Sequence, residues 1–508
     1  MGKRVFLAKN IITMAQETGP EAILCVDGRI AAVGTRKDIL SLAGQRTEVI
    51  DFQDATILPG FIDPHSHICA CANRLALADL SPAKSFDELI ALLRQYKEQH
   101  SIPAGKWMIG FGYDNNFMKE RKHPDSHVLD KVSKENPILI THVSGHMGAL
   151  NSLAMQETGA SGNGYLEESE FMQVSARIPA PSEEEMQKLM QLAQQEYLKY
   201  GITTAQEGIA REKEVELLKR TRLKLDVVGY VDLKQAKRTF DHCGVYKKQY
   251  KNHLRFGGYK IFLDGSPQGR TAWLSKPYEG ETAYAGYGTY ADEEVTQFFE
   301  TALREQVQIL AHCNGDAACE QFIRCLRAAR ERTGHAVTNR PVMIHAQLVT
   351  RPQLAALKEL GCIASFFNAH TYYWGDVHEK NLGRRAQMIS PLHTAQEIGI
   401  CYTLHQDAPV IAPDMLFSVW CAVTRQTRAG KVLGADERIG VYDALKAVTV
   451  NAAYQYFEEK HKGTIEPGKL CDLAVLDENP LTARAEQLRD IRVLAAVKEG
   501  EILYQNKA

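Results

Sequence analysis

Two histidines one residue apart close an apolar run, Leu58-Pro59-Gly60-Phe61-Ile62-Asp63-Pro64-His65-Ser66-His67. If the run is a buried strand, side-chain alternation sets both imidazoles on one face, with Cα atoms roughly 6–7 Å apart. Two neutral imidazoles converging at a strand end suit a divalent metal better than a packed core. Lys260, His312, His345 and Asp407 each end a later apolar run. A single histidine in such a place is ordinarily a hydrogen-bonded structural residue. Four histidines, a lysine and an aspartate at equivalent strand ends are not a set that packing produces. Histidine nitrogens and an aspartate oxygen are ligands that zinc and related divalent metals accept. A lysine buried beside a metal is disfavoured as an ammonium, because like charges repel and desolvation lowers its pKa. As a neutral amine it can add carbon dioxide, and the resulting carbamate can bridge two metals.

The elements that would position these groups alternate in type. Strand-like runs at 202–207, 225–231, 258–264, 307–312, 341–345, 362–367 and 401–407 follow the His65 run. Helical spacing lies between them at 292–305, 317–332, 351–360 and 392–398. Eight strands with crossover helices predict an α/β fold, a distorted (β/α)8 TIM barrel over 59–462, whose chemistry sits at the C-terminal strand ends. Residues 68–200 then form an insertion after the first strand, a lid or specificity region with strands near 107–112 and 137–142 and a helix near 183–199. Residues 1–58 and 463–508 share a texture of short strands and tight turns. Terminal strands cannot bury their faces alone, so the two ends are expected to combine as a small composite β-sandwich domain.

Composition narrows the partners. With 508 residues, 60 Lys plus Arg, 62 Asp plus Glu and a net charge of −2, nucleic acid and an anionic membrane are excluded as main partners. A small-molecule substrate is expected, with a homodimer as the default oligomer. Eleven cysteines without repeating spacing read as free thiols in a reducing compartment. The first residues lack the apolar core of a secretory signal, and no window is long and apolar enough to span a membrane. The cytoplasm is the expected location.

Several blocks carry a resemblance: Gly60-Phe-Ile-Asp-Pro-His-Ser-His67, Tyr259-Lys260-Ile-Phe-Leu-Asp264-Gly265-Ser266, Ala311-His312-Cys-Asn-Gly315-Asp316, Ile344-His345-Ala-Gln347 and Asp407-Ala-Pro-Val410. Together with Gly145-His146-Met-Gly-Ala-Leu-Asn151 and Gly201-Ile-Thr-Thr-Ala-Gln-Glu207-Gly208, they resemble the amidohydrolase superfamily, in its amidohydrolase-3, YtcJ-like branch of metal-dependent hydrolases. The resemblance spans about 50 to 480. It implies hydrolysis of C–N or related bonds. By position, it implies that His65, His67 and Asp407 bind one metal, that His312 and His345 bind a second, and that Lys260 bridges them as a carbamate. Gly-Ser-Pro267-Gln268-Gly-Arg270 and Cys313-Asn314 depart from the usual pattern and bear on substrate rather than ligands.

The expected reaction is cleavage of an amide, N-substituted formamide or related bond by metal-activated hydroxide. Asp407 serves as acid and base, while metal and a neighbouring histidine such as His345 polarise the carbonyl. Zinc is the leading candidate, one or two per chain. His146, Arg270, Trp273 and His370, with Tyr278, His142 and Tyr372-Tyr373-Trp374, would line a partly apolar pocket with a polar handle. A deaminase using Glu207 with one metal, a lactone or carbamate hydrolase, and a non-catalytic barrel scaffold are the rivals.

Overall fold

Eight strands form one continuous, wholly parallel sheet in sequential order, curled so that its two edges approach each other. The computed structural model describes residues 2–15, 19–179 and 181–506. The strands are β1 (Phe61–Ile62), β2 (Ile202–Ala210), β3 (Asp226–Asp232), β4 (Leu254–Phe262), β5 (Gln308–Cys313), β6 (Val342–His345), β7 (Ile363–Phe366) and β8 (Tyr402–Leu404). Most are buried on both faces, as parallel strands covered by crossover helices must be. The helices Asp292–Glu305, Asp316–Thr333 and Arg351–Glu359 make crossovers between β4 and β7. Beyond the edge strands, Asp407 N donates to His65 O (3.2 Å) and His67 N to Ala408 O (2.8 Å). These two bonds tie the chain leaving β1 to the chain leaving β8.

Close strand approach demands a glycine at one point. Gly258 pairs with Gln308 across β4 and β5, and a Cβ added there would sit 1.8 Å from the Gln308 carbonyl oxygen. Backbone cannot yield as a side-chain tip can, so Gly258→Ala is expected to lower stability by about 3 kcal/mol. Urea unfolding should show an earlier midpoint; an unchanged midpoint would mean the strands separate freely here.

The chain ends behave as one region in part. Asn10–Ile11, Thr56–Pro59, Leu473–Leu476, Val493–Lys498 and Glu501–Gln505 make a five-stranded sheet drawn from both termini. A second, four-stranded sheet uses only Lys3–Leu7, Ala22–Val26, Arg29–Gly34 and Glu48–Asp51. Phe6, Ile23, Ile57, Leu473, Val475 and Val497 share one apolar cluster. By compactness the chain divides elsewhere, into a unit of the residues up to Ala70 with those from Ala193 onward, and a unit Cys71–Leu192. The latter has its own sheet, in the order Tyr165–Glu167, Met147–Leu150, Ile138–His142, Met108–Tyr113, Leu77–Asp79, the last three parallel. Leu89, Leu93, Met108, Ile138 and Ile140 form its core.

Nine of the eleven cysteines are buried. Among the described residues, no helix is long and apolar enough to cross a membrane.

Candidate metal centre

The first histidine pair does not lie on a strand. β1 pairs with β2 through Phe61 and Ile62, and Asp63 N still donates to Thr204 O (2.9 Å), but the next N–H that would face β2, that of His65, leaves the ladder. The chain turns instead, with His65 N donating to Asp63 Oδ1 (3.2 Å). Strand alternation therefore gives way to a turn that brings the two rings edge to face, centroids 5.1 Å apart. Gly208 makes room for them: a Cβ there would lie 2.7 Å from His65 Cε1 and 2.8 Å from His67 Cε1.

The hydrogen-bond chain behind His65 fixes its tautomer. Tyr456 Oη donates to Asp63 O (2.7 Å), and Gln206 Nε2 donates to Tyr456 Oη (2.9 Å) and to Pro64 O (2.7 Å). Gln206 Oε1 is thus left as the acceptor for His65 Nδ1 at 2.6 Å. His65 Nε2 keeps its lone pair, aimed inward 3.2 Å from Lys260 Nζ and 3.5 Å from Asp407 Oδ1. A metal-binding imidazole is typically backed in this way.

The later strand ends deliver the remaining groups to the same point. His312, on β5, has Nε2 3.0 Å from the Gly265 carbonyl, an acceptor, which leaves Nδ1 toward His345 Nε2 at 3.0 Å. His345 ends β6 with φ 72°, and Asp407 has φ 54°, both in the left-handed region that side chains adopt rarely. Asp407 Oδ1 lies 3.3 Å from His67 Nε2, and Oδ2 lies 3.9 Å from His345 Nε2. All six residues singled out in the sequence, His65, His67, Lys260, His312, His345 and Asp407, therefore converge.

Burial controls the charge of this cluster. It pushes His65 and His345 well below the usual imidazole range, and His312 to about 4. Burial also lowers Lys260 to about 8, against the opposing pull of Asp407. Burial would raise Asp407, but the His67, His345 and His65 imidazoles outweigh it and hold the carboxyl well below its ordinary value. His67 is the exception: burial would lower it, yet Asp407 and Glu207 raise it to about 9.

The donor set fits a divalent cation. Asp407 Oδ1 is buried with no well-aligned hydrogen bond, its nearest groups being the His67 and His65 imidazoles at 3.3 and 3.5 Å, an arrangement that a divalent cation between these donors would satisfy. Single ligand atoms of His65, His345 and Asp407 lie within 4.8 Å of one another, and neutral imidazole with carboxylate is a zinc-type set.

The groups expected to line a pocket are less uniform. Arg270 is held by Glu281 (2.6 Å), and Trp273 N donates to Asp264 Oδ2 (3.0 Å). Asp264 also accepts from Asn314 N and Gly315 N, and burial raises it to about 7 despite those bonds. It therefore anchors the chain leaving β5. His370 is buried, with Nδ1 3.2 Å from His378 Nε2, beside Phe367 and Trp374. His146 lies in the 71–192 unit, exposed, 3.6 Å from Glu168.

Sequence reasoning missed Gln206, His378 and His405. His405 is two residues before Asp407, the same spacing that flagged His65 and His67, so a signal was present. Its Nε2 lies 3.2 Å from His345 Nδ1.

A family model described as "Amidohydrolase family" matches residues 48–504. The chain is 24% identical over 530 residues to an N-substituted formamide deformylase of Arthrobacter pascens, covering 97% of this chain and 96% of that protein. It is 24% identical over 526 residues to the putative amidohydrolase YtcJ of Bacillus subtilis (strain 168), covering 97% and 98%. An uncharacterized metal-dependent hydrolase from Pyrococcus horikoshii OT3 superposes with a TM-score of 0.77 at 22% identity, over 96% of this chain and 99% of its own. An atrazine chlorohydrolase from Arthrobacter aurescens TC1, complexed with zinc, gives 0.55 at 14% identity, over 99% and 95%. With the family match running from the terminal strands through all six converging groups, the chain belongs to the amidohydrolase family and is an enzyme that hydrolyses carbon–nitrogen bonds.

Proposed function

We propose that the enzyme hydrolyses a small amide or N-substituted formamide at a divalent metal centre on the C-terminal ends of a closed, distorted (β/α)8 barrel. The terminal sheets would form the composite β-sandwich beside it, and the 71–192 unit would be the inserted specificity region. The observation that carries this reading is the convergence of the buried Asp407 carboxylate with the His65, His67 and His345 imidazoles, where Oδ1 makes no well-aligned hydrogen bond. His65, His67 and Asp407 would hold one ion and His312 with His345 a second. Lys260, whose Nζ lies 3.2 Å from His65 Nε2, would serve as a carbamate ligand to both ions once carboxylated.

A bound divalent metal supplies Lewis acidity that brings the pKa of water toward neutrality and polarises a carbonyl. Asp407 accepts the proton of the attacking water and returns it to the leaving nitrogen. Its depressed pKa keeps the carboxylate ionised and ready as a base at neutral pH. The His65–Gln206–Tyr456 chain holds the ring without a mobile proton on the inner nitrogen. His370, among Phe367 and Trp374, would give one wall of the pocket an apolar face with a polar tip. Arg270 and Trp273 would contribute from the adjoining loops. Zinc is the proposed ion, in keeping with the imidazole-rich donor set.

Metal analysis of purified enzyme, paired with a panel of amides, N-substituted formamides, carbamates, cyclic imides and lactones, tests the reading. About two equivalents per chain and turnover of a C–N substrate are expected. One equivalent with release of ammonia from an aminated ring would favour a deaminase using Glu207. No metal and no turnover would refute the proposal.

A further inference from the structure

We infer that His405 is a positioning residue that holds His345 in its ligating tautomer. This rests on the metal reading above. Three buried groups, Ser365, His405 and His345, stand in line and lead to His312: Ser365 Oγ is 2.9 Å from His405 Nδ1, His405 Nε2 is 3.2 Å from His345 Nδ1, and His345 Nε2 is 3.0 Å from His312 Nδ1. Ser365 and His405 are fully buried and His345 is 4% exposed, so bulk water is a poor substitute partner along the line.

A neutral imidazole carries one hydrogen, and the partner of one ring nitrogen decides what the other presents. For His345 Nε2 to offer a lone pair, its hydrogen must sit on Nδ1 and find an acceptor. The acceptor at hand is His405 Nε2. That nitrogen can accept only if the His405 hydrogen is on Nδ1, where Ser365 Oγ accepts it. The opposite polarity, with the Ser365 hydroxyl donating to His405 Nδ1, would force a hydrogen onto His345 Nε2 and abolish its lone pair. The three groups therefore have one arrangement compatible with a ligand at His345. An imidazole here takes the place usually filled by a carboxylate or a carbonyl behind a metal-binding histidine.

The backbone gives a reason for the device. His345 and Ala346 both have positive φ, 72° and 46°, so the chain leaves the sheet at the ligand itself. Ladder pairing fixes a ring poorly at such a point, and a side-chain partner must set its orientation. Gln206 serves His65 in the same way.

The test compares apoenzyme of wild type, His405→Phe and His405→Gln, titrated with Zn2+ against a chelating dye, with far-UV circular dichroism to verify folding. Phenylalanine keeps a flat ring without an acceptor, while glutamine restores an acceptor oxygen near the Nε2 position. In His405→Phe, one of two zinc equivalents should weaken about 10–100-fold, the usual cost of losing such a partner. The other should stay within about threefold, and His405→Gln should recover most of the loss. Equal binding by all three proteins would overturn the inference while leaving the metal centre intact. Equal losses in folded His405→Phe and His405→Gln would also overturn it, since a packing role would not distinguish an acceptor. Wild type that binds no zinc would instead refute the metal centre itself, and the inference with it.

Discussion

Asp407→Asn is expected to lower kcat by about 10²–10⁴-fold, the range that a positioned acid–base group contributes. Asparagine keeps the shape and one carbonyl oxygen, but it cannot take up a proton. In the folded protein Asp407 stays ionised because the His67, His345 and His65 imidazoles outweigh its burial. The amide removes the negative charge that faces the raised His67 imidazole at 3.3 Å. Metal content should be largely kept, since the histidines remain. Steady-state kinetics alongside metal analysis decides the matter. Normal turnover would remove Asp407 from the proton-transfer role, while loss of metal in step with activity would make it chiefly a ligand.

A large effect on stability is also expected at the opposite end of the sheet, where Asp226 begins β3. It is 3% exposed and meets Lys462 Nζ at 2.5 Å, Lys498 Nζ at 2.9 Å and His253 Nδ1 at 2.7 Å. Lys498 also pairs with Asp472 (2.9 Å), and Lys462 with Glu458 (2.7 Å). The cluster binds the curled sheet to the sheet of terminal strands, since Lys498 ends the strand Val493–Lys498. Asp226→Asn strips one carboxylate from two buried ammonium groups, and breaking a buried charge network in this way should cost about 3 kcal/mol. The pH dependence has a definite sign. Burial would raise the Asp226 pKa, but Lys462, Lys498 and His253 hold it well below the ordinary value. A depressed folded pKa contributes stability that is complete above the unfolded value, near 4, and is lost as pH falls through and below it. Wild type and variant should therefore differ fully at pH 7 and converge below about pH 4 in urea unfolding. A gap that persists unchanged in acid would mean that packing rather than charge holds this junction.

The six metal-ligand candidates were legible because residue type and position at the end of an apolar run are local properties. The alternation of strand and helix was legible for the same reason. Boundaries were less so. The run through His67 reads as strand, yet the strand stops at Ile62, because the turn in which Asp63 Oδ1 captures the His65 N–H overrides apolar patterning. The spacing of His65 and His67 was informative even though the strand geometry behind it was not: a turn brought the rings together instead. His405 carried the same two-residue signal relative to Asp407 and went unread, because an apolar run ending in one acidic ligand gives no cue to a second polar residue within it.

The sequence by itself determined the inventory of the site, its order along the chain and the class of chemistry those side chains can perform. Only the tertiary structure decided which nitrogen of each ring faces inward. That depends on partners far away in the chain, Gln206 and Tyr456 for His65 and Ser365 with His405 for His345. It also paired Asp226 with Lys462 and Lys498, and set the 71–192 segment apart as its own unit. Periodicity is written in neighbours, whereas a tautomer or a buried ion pair is written in contacts between remote segments. Such contacts exist only once the sheet has curled and brought its strand ends together.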